Sequence, residues 1–213
     1  GRHMDPIVFL YARLIQARGE VRLIANVDAH LRARLKNGQI VLGQHRLTGK
    51  EAPPLTTKIE HLDLVSPEGN PITVSIRQKI IQLIHKADLI CYPIGSFFTS
   101  VIANLLPSGV AEAIVQAGCP KVFIPNPMPD PETIHLNLAD MLQTLVHYCC
   151  PPGEAPHAVL NMVLLDPTVS YPGRAEAEAL LRQWNVQLLE APFLDARRVS
   201  PHALCHILVS LAR

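Results

Sequence analysis

The sequence predicts an α/β protein: a three-layer sandwich on a mostly parallel sheet, with an antiparallel hairpin near the N-terminus. Three observations carry this reading. From Val74 onward, short apolar runs alternate with helical stretches of about 10 to 15 residues, the pattern of βαβ units. Earlier, Ala29 to Leu35 alternates cleanly, meets an Asn37-Gly38 turn and returns at Ile40 to Gly43, which is a hairpin. Hydrophobic residues make up 48% of the 213 positions and charged residues 17%, enough apolar mass for one large core.

The elements follow in order. Residues 6–18 place Ile7, Leu10, Leu14 and Ile15 on one side, which predicts a helix. In the hairpin, Ala29, Leu31, Ala33 and Leu35 alternate with His30, Arg32 and Arg34. Residues 44–58, with Gly49, Pro53 and Pro54, read as loop. Ile59 to Val65 is a further strand. Val74 to Lys86 carries Ile76, Ile80, Leu83 and Ile84 at helical spacing. Leu89 to Tyr92 is a strand, and Phe97 to Leu106 and Val110 to Ala117 are helices parted by Pro107-Ser108-Gly109. Strands at Val122 to Pro125, Val159 to Leu165 and Val186 to Leu189 then alternate with helices at Leu136 to Tyr148, Ala175 to Trp184 and Pro201 to Ala212. Neither a repeat nor a linker interrupts the chain, so residues 5–213 read as one domain. Gly1 to Met4 have the form of a scar left by tag removal, and the expectation is a C-terminal part of a longer protein.

Composition excludes several classes. The net charge of +1 makes no case for nucleic acid. No apolar run reaches the roughly 18 to 20 residues of a membrane span, and no signal peptide opens the chain. Five cysteines, an odd number without framework spacing, suit a reducing cytoplasmic compartment and free thiols. Residues 1–60 hold ten Lys/Arg against five Asp/Glu, a solvated face or a surface for an anionic ligand.

The chemistry concentrates in two stretches. "YPIGSFFTS", Tyr92 to Ser100, leaves a strand through Gly95-Ser96 and enters a helix. Free amides and the helix dipole favour a phosphate there, with Ser96, Thr99 and Ser100 adding hydroxyls and Gly95 letting the backbone approach. The same residues also serve as ordinary helix caps. "IPNPMPDPETI", Ile124 to Ile134, leaves the next strand. Asn126, Asp130, Glu132 and Thr133 could read a base or hold a metal, or form a rigid turn with a cap at Glu132 or Thr133. His202, Cys205 and His206 share one helix face at a spacing that suits zinc, but only His147 to Cys150 offers further ligands, so ordinary packing is the expectation. Arg46 and Lys50 could contact phosphate, yet Walker spacing is absent.

"KADLICYPIGSFFTSVIANLLPSGVAEAI", "CPKVFIPNPMPDPET" and the hairpin "VDAHLRARLKNGQIVLGQ" together resemble the CofD-like family. That family includes the 2-phospho-L-lactate transferase of deazaflavin-coenzyme biosynthesis and nucleotide-sugar-binding gluconeogenesis factors of the YvcK type. The resemblance spans roughly residues 20–213 and is most specific at 71–133. It implies a Rossmann-like fold and a nucleotide or nucleotide-sugar ligand. It also implies either transfer of a phospho-linked group from a nucleotide diphosphate donor to an acceptor alcohol, or non-catalytic regulation. Pro93-Ile94-Gly95-Ser96 matches the family's Gly-Pro-Gly-Ser. Thr99 and Ser100 match its Thr-Ser, and Asn126, Met128, Glu132 and Thr133 match its Asn-x-Met and Glu-Thr positions. The resemblance thus implies phosphate or nucleotide binding at Gly95, Ser96, Thr99, Ser100, Asn126, Glu132 and Thr133. Pro93 replaces the first glycine, and "PDPET" lacks the glycine found in relatives. The family's glycine-rich loop and acidic stretch do not occur in this chain. Mg²⁺ is accordingly a cofactor implied for a full-length member, and a homodimer is compatible with all of these features.

Overall fold

The computed structural model describes residues 4–49 and 53–212. A three-stranded antiparallel sheet comes first, built from β1 (His30–Leu35), β2 (Ile40–Leu42) and β3 (Ile59–Val65) in the order β2-β1-β3. The predicted hairpin is its β1–β2 pair, with Ala33 opposite Val41 and, across the other edge, Leu62. The parallel sheet has four strands: β4 (Ile90–Tyr92), β5 (Lys121–Phe123), β6 (Met162–Leu165) and β7 (Gln187–Glu190), paired in that order.

Alternation along these strands divides the core. Tyr92, Phe123, Val163 and Leu165 point to a large cluster shared with α4 (Val110–Gln116), α5 (Leu138–Cys149) and α6 (Arg174–Trp184). Val122, Ile124, Met162 and Leu164 point the other way, to Phe193 and α7 (Pro201–Leu211). Helices therefore cover both faces, as a parallel sheet requires. Cys91 and Cys149 lie in this core, and burial pushes their thiols up to about 11 and about 12. All five cysteines are free thiols.

The antiparallel sheet joins the large cluster through Leu31, Ala33, Leu35 and Leu62. One polar contact fixes the junction: the Leu62 amide donates to the Tyr148 hydroxyl of α5 at 2.7 Å. Tyr148→Phe should cost about 1–2 kcal/mol, because it leaves a buried amide without an acceptor. Urea unfolding reads this directly, and a loss under about 0.5 kcal/mol would show that water replaces the hydroxyl.

Five readings need correction. The segment 44–58 is not all loop, since α2 (Gln44–Leu47) forms there and buries Leu47 fully. The helix predicted from Val74 begins only at Gln78 as α3 (Gln78–His85). Before it, Ser75 bridges to Ser108 and the Ile76 amide bonds the Ser108 carbonyl, which holds the chain extended. The helix predicted from Phe97 is a π-turn, Phe97–Val101, followed by a 3-10 turn, Ile102–Asn104. Finally, a small hairpin, β8 (Leu194–Asp195) with β9 (Arg198–Val199), was not predicted. Its turn uses Ala196 and Arg197 at φ of 46° and 65°, with no Asn-Gly to announce it. The N-terminal helix is shorter than read, α1 (Asp5–Leu14). Among the described residues no helix is long and apolar enough to cross a membrane.

Candidate functional site

Strands β4, β5 and β6 all end at one edge of the parallel sheet, where α/β proteins hold ligands. Two loops leave that edge, 93–96 after β4 and 124–137 after β5, and they bond to each other. The Phe97 amide donates to Asp130 Oδ2 at 3.0 Å. The Phe98 and Thr99 amides donate to Glu132 Oε2 at 2.8 and 2.9 Å. The Thr99 hydroxyl donates to Glu132 Oε1 at 2.5 Å. Asp130 Oδ1 in turn accepts the Glu132 amide at 3.0 Å.

The three amides that follow Gly95 and Ser96 are therefore taken by the chain's own carboxylates. This explains the π-turn: its opening donors are satisfied from outside, so both Phe97 and Phe98 can turn into the core. Glu132 is 2% exposed and Thr99 8%. Burial raises the Glu132 carboxyl above its ordinary value, and the Thr99 hydrogen bonds only partly offset this. One residue earlier the picture changes. The amides of Gly95 and Ser96, and the hydroxyls of Ser96 and Ser100, make no hydrogen bond among the described residues. Gly95 is not needed for strain: a methyl group there would meet only Ser100 Cβ, at an ordinary 3.6 Å.

Beside this latch lies a cleft of about 530 Å³. Its walls are Pro125, Pro127, Met128 and Pro129 from the second loop, Met141 at the start of α5, and Tyr171 from the loop after β6. Asn126 and Thr133 both line it, whereas Gly95, Ser96, Thr99, Ser100 and Glu132 do not. Asn126 Oδ1 accepts the Met128 amide at 3.0 Å, an Asx turn that leaves its Nδ2 group without a partner among the described residues. The Thr133 hydroxyl donates to the Asp130 carbonyl at 3.3 Å.

The alternative reading of this loop was a rigid turn with a helix cap at Glu132 or Thr133. The cap is Asn137, whose side chain accepts the Asp140 amide at 2.8 Å while Asp140 returns a bond to the Asn137 amide. The signal was present as Asn-x-x-Asp just before an apolar run. Gly173 presses against this cap: any Cβ there would lie 2.5 Å from Asn137 Cγ, so the position demands glycine. Ser170 and Tyr171, also unforeseen, complete the far wall.

Mg²⁺ finds no fitting donor set among the described residues. The four oxygens of Asp130 and Glu132 already accept hydrogen bonds, and no three acidic, His or Cys side chains gather as a metal site. His202 and His206 lie with ring centroids 5.8 Å apart on α7, without a third ligand. Arg46 lies on α2 and does not line the cleft, and Lys50 falls outside the described residues.

Residues 1–194 match the family model described as 2-phospho-L-lactate transferase CofD. The gluconeogenesis factor of Bacillus subtilis is 30% identical over 135 residues, covering 63% of this chain and 39% of the relative. The gluconeogenesis factor of Halalkalibacterium halodurans is 31% identical over 139 residues, covering 65% and 40%. The chain thus spans about two fifths of the length of these curated relatives. A solved UPF0052-family protein of Bacillus halodurans superposes with a TM-score of 0.73 at 21% identity, covering 98% of this chain and 67% of that one, which shows a shared fold.

Proposed function

The chain belongs to the CofD family, and from that premise we propose that it binds a nucleotide or nucleotide sugar as a ligand-sensing regulator. The carrying observation is the cleft at the carboxyl edge of the sheet, with Asn126 Nδ2 at its wall and without a partner among the described residues. The proline, methionine and tyrosine walls suit a ring and sugar. The carboxamide and the Thr133 hydroxyl supply polar contacts that set orientation. Phosphates would extend towards the Gly95 and Ser96 amides and the Ser96 and Ser100 hydroxyls, which have no partner among the described residues. Thr99 and Glu132 would act indirectly, by holding that turn in place.

Regulation is favoured over transfer because the acidic groups nearest the cleft hold backbone amides. Each oxygen of Asp130 and Glu132 already accepts at least one hydrogen bond from the chain, which ties both carboxylates to the turn. The names of the relatives, gluconeogenesis factors, agree with this preference. The family model's description supports the second reading, transfer of a phospho-linked group to an acceptor alcohol.

Calorimetric titration of GDP and UDP-sugars into the protein tests the proposal. Asn126→Ala should weaken binding about fivefold to tenfold, the value of one hydrogen bond to a neutral group. Equal affinity in the variant, or no binding of either ligand at about 1 mM, would overturn it. Turnover of about 1 per second with Mg²⁺ and a nucleotide diphosphate donor would replace sensing by transfer.

A further inference from the structure

A second cleft, of about 610 Å³, opens at the amino edge of the parallel sheet, the end opposite the candidate site. Strand starts frame it: Lys121 opens β5, Asn161 precedes β6, and Asn185 and Gln187 stand at the start of β7. Gly118 and Cys119 of the loop between α4 and β5, with the C-terminal end of α7, complete it. Lys121 is 6% exposed, a rare place for an ammonium group. Its Nζ donates to the Ala117 carbonyl at 2.7 Å, just past the C-terminus of α4, where the helix dipole favours a cation. Of its three N–H donors the described residues take that one, and no carboxylate among them pairs with it. Burial lowers its pKa from the ordinary lysine value, with the nearby Cys119 opposing the shift. Asn161 holds the start of β5 in place: Oδ1 accepts the Lys121 amide at 2.9 Å, and Nδ2 donates to the His157 carbonyl at 2.7 Å. Other polar groups of the cleft are unspent. The Gly118 and Cys119 amides and the Asn185 and Gln187 carboxamides make no hydrogen bond among the described residues.

We propose that this amino-edge cleft binds the phosphate monoester of a small polyol, at a site separate from the cleft beside the latch. Charge and donor count carry the argument. A buried ammonium without a counter-charge is costly, and an anion taken from solution supplies that charge. No acidic side chain lines the cleft to compete with it. The Lys121 ammonium and the Gly118 and Cys119 amides can donate but not accept, so they select an acceptor-rich group. A phosphate brings three terminal oxygens to these donors, whereas a carboxylate brings two. The Asn185 and Gln187 carboxamides and the Ser210 hydroxyl both donate and accept, which suits the hydroxyls of a polyol. The volume is that of a small-molecule site and exceeds what a bare phosphate ion fills. No aromatic side chain lines the cleft to stack a base, which sets this ligand apart from a nucleotide.

Amide NMR spectra of the isotope-labelled chain, titrated with sorbitol phosphate, test the proposal. The Gly118, Cys119 and Lys121 amides should shift and saturate with a Kd at or below about 1 mM, while those of Gly95 and Ser96 stay in place. Inorganic phosphate should bind the same amides at least tenfold more weakly, and sorbitol should leave them unmoved. Lys121→Met keeps the length of the stem and removes the charge, so it should weaken binding at least tenfold. A second variant leaves the core untouched: Gln187 is exposed, and Asn185 has a φ of 56°, which glycine adopts freely. Asn185→Gly with Gln187→Ala should weaken binding about fivefold or more, with the melting temperature nearly unchanged. Unmoved amides at 118–121 with about 10 mM sorbitol phosphate, or shifts confined to Gly95 and Ser96, would overturn the proposal. So would equal affinity for inorganic phosphate or sorbitol, or undiminished affinity in the double variant.

Discussion

Replacing Glu132 by alanine is expected to cost about 4 kcal/mol or more, or to prevent folding. The side chain accepts the Phe98 and Thr99 amides and the Thr99 hydroxyl, all from buried residues. Removing it leaves three donors without acceptors, at about 1–3 kcal/mol each. The loss also releases the turn beneath Phe97 and Phe98, which anchor the large core cluster. The pH dependence gives a second reading. Burial raises the folded-state value of this carboxyl above its ordinary 4.5, the Thr99 bonds notwithstanding. An acid with a raised value adds stability below its unfolded value and loses it as pH rises through the folded one. The advantage of the wild type over Glu132→Ala should thus be largest below about pH 4.5 and shrink above it. Urea unfolding across that range decides the matter. A cost under about 1 kcal/mol would mean that the latch is dispensable, and an advantage that grows with pH would mean that its hydrogen bonds outweigh the burial of the carboxyl.

The same residues show how far the sequence was legible. Period and turn chemistry disclosed the hairpin and all four parallel strands, because each is specified within its own short window. Both loops of the candidate site were also visible, the hydroxyl-rich turn at 95–100 and the Asn/Glu/Thr loop at 126–133, although only the second lines the cleft. Their mutual contact was not. The hydrogen bonds from Phe98 and Thr99 to Glu132 span 34 and 33 residues, and nothing local distinguishes a donor waiting for phosphate from one waiting for a distant glutamate. The sequence therefore aimed both loops at a ligand where they partly aim at each other. The hairpin β8–β9 was illegible for a related reason. Its strands have two residues each, and its first strand is held by an acceptor far away in sequence. Helix α1 shows the opposite case: its apolar side was plain, but periodicity names a side without saying what lies against it.

That distant acceptor is Asp166, and Asp166→Asn should cost about 3 kcal/mol or more while loosening the C-terminal layer first. Asp166 directly follows β6 and is 1% exposed. Oδ2 accepts the Phe193 and Leu194 amides at 2.7 and 2.8 Å, and Oδ1 accepts the Thr168 amide and hydroxyl at 2.9 and 2.5 Å. One carboxylate thus turns the chain after β6 and secures the strand that leads into α7. The carboxamide keeps the shape but turns one oxygen into a donor facing two donors, so two bonds are lost and replaced by repulsion. Burial alone would raise the Asp166 value, yet the four hydrogen bonds outweigh it and hold the carboxyl below its ordinary 3.8. The sign is opposite to that of Glu132: this stability is present above the unfolded value and is lost as pH falls through the lowered one. The gap between wild type and Asp166→Asn should therefore be constant from about pH 7 down to pH 4 and close only below that. Phe193 is the buried centre of the smaller core cluster, which packs against Leu204, Ile207, Leu208 and Leu211 of α7. Hydrogen exchange of the variant should accordingly quicken at α7 before it quickens at α5. Uniform acceleration across both helices, or a gap that widens in acid, would show that Asp166 does not hold this layer.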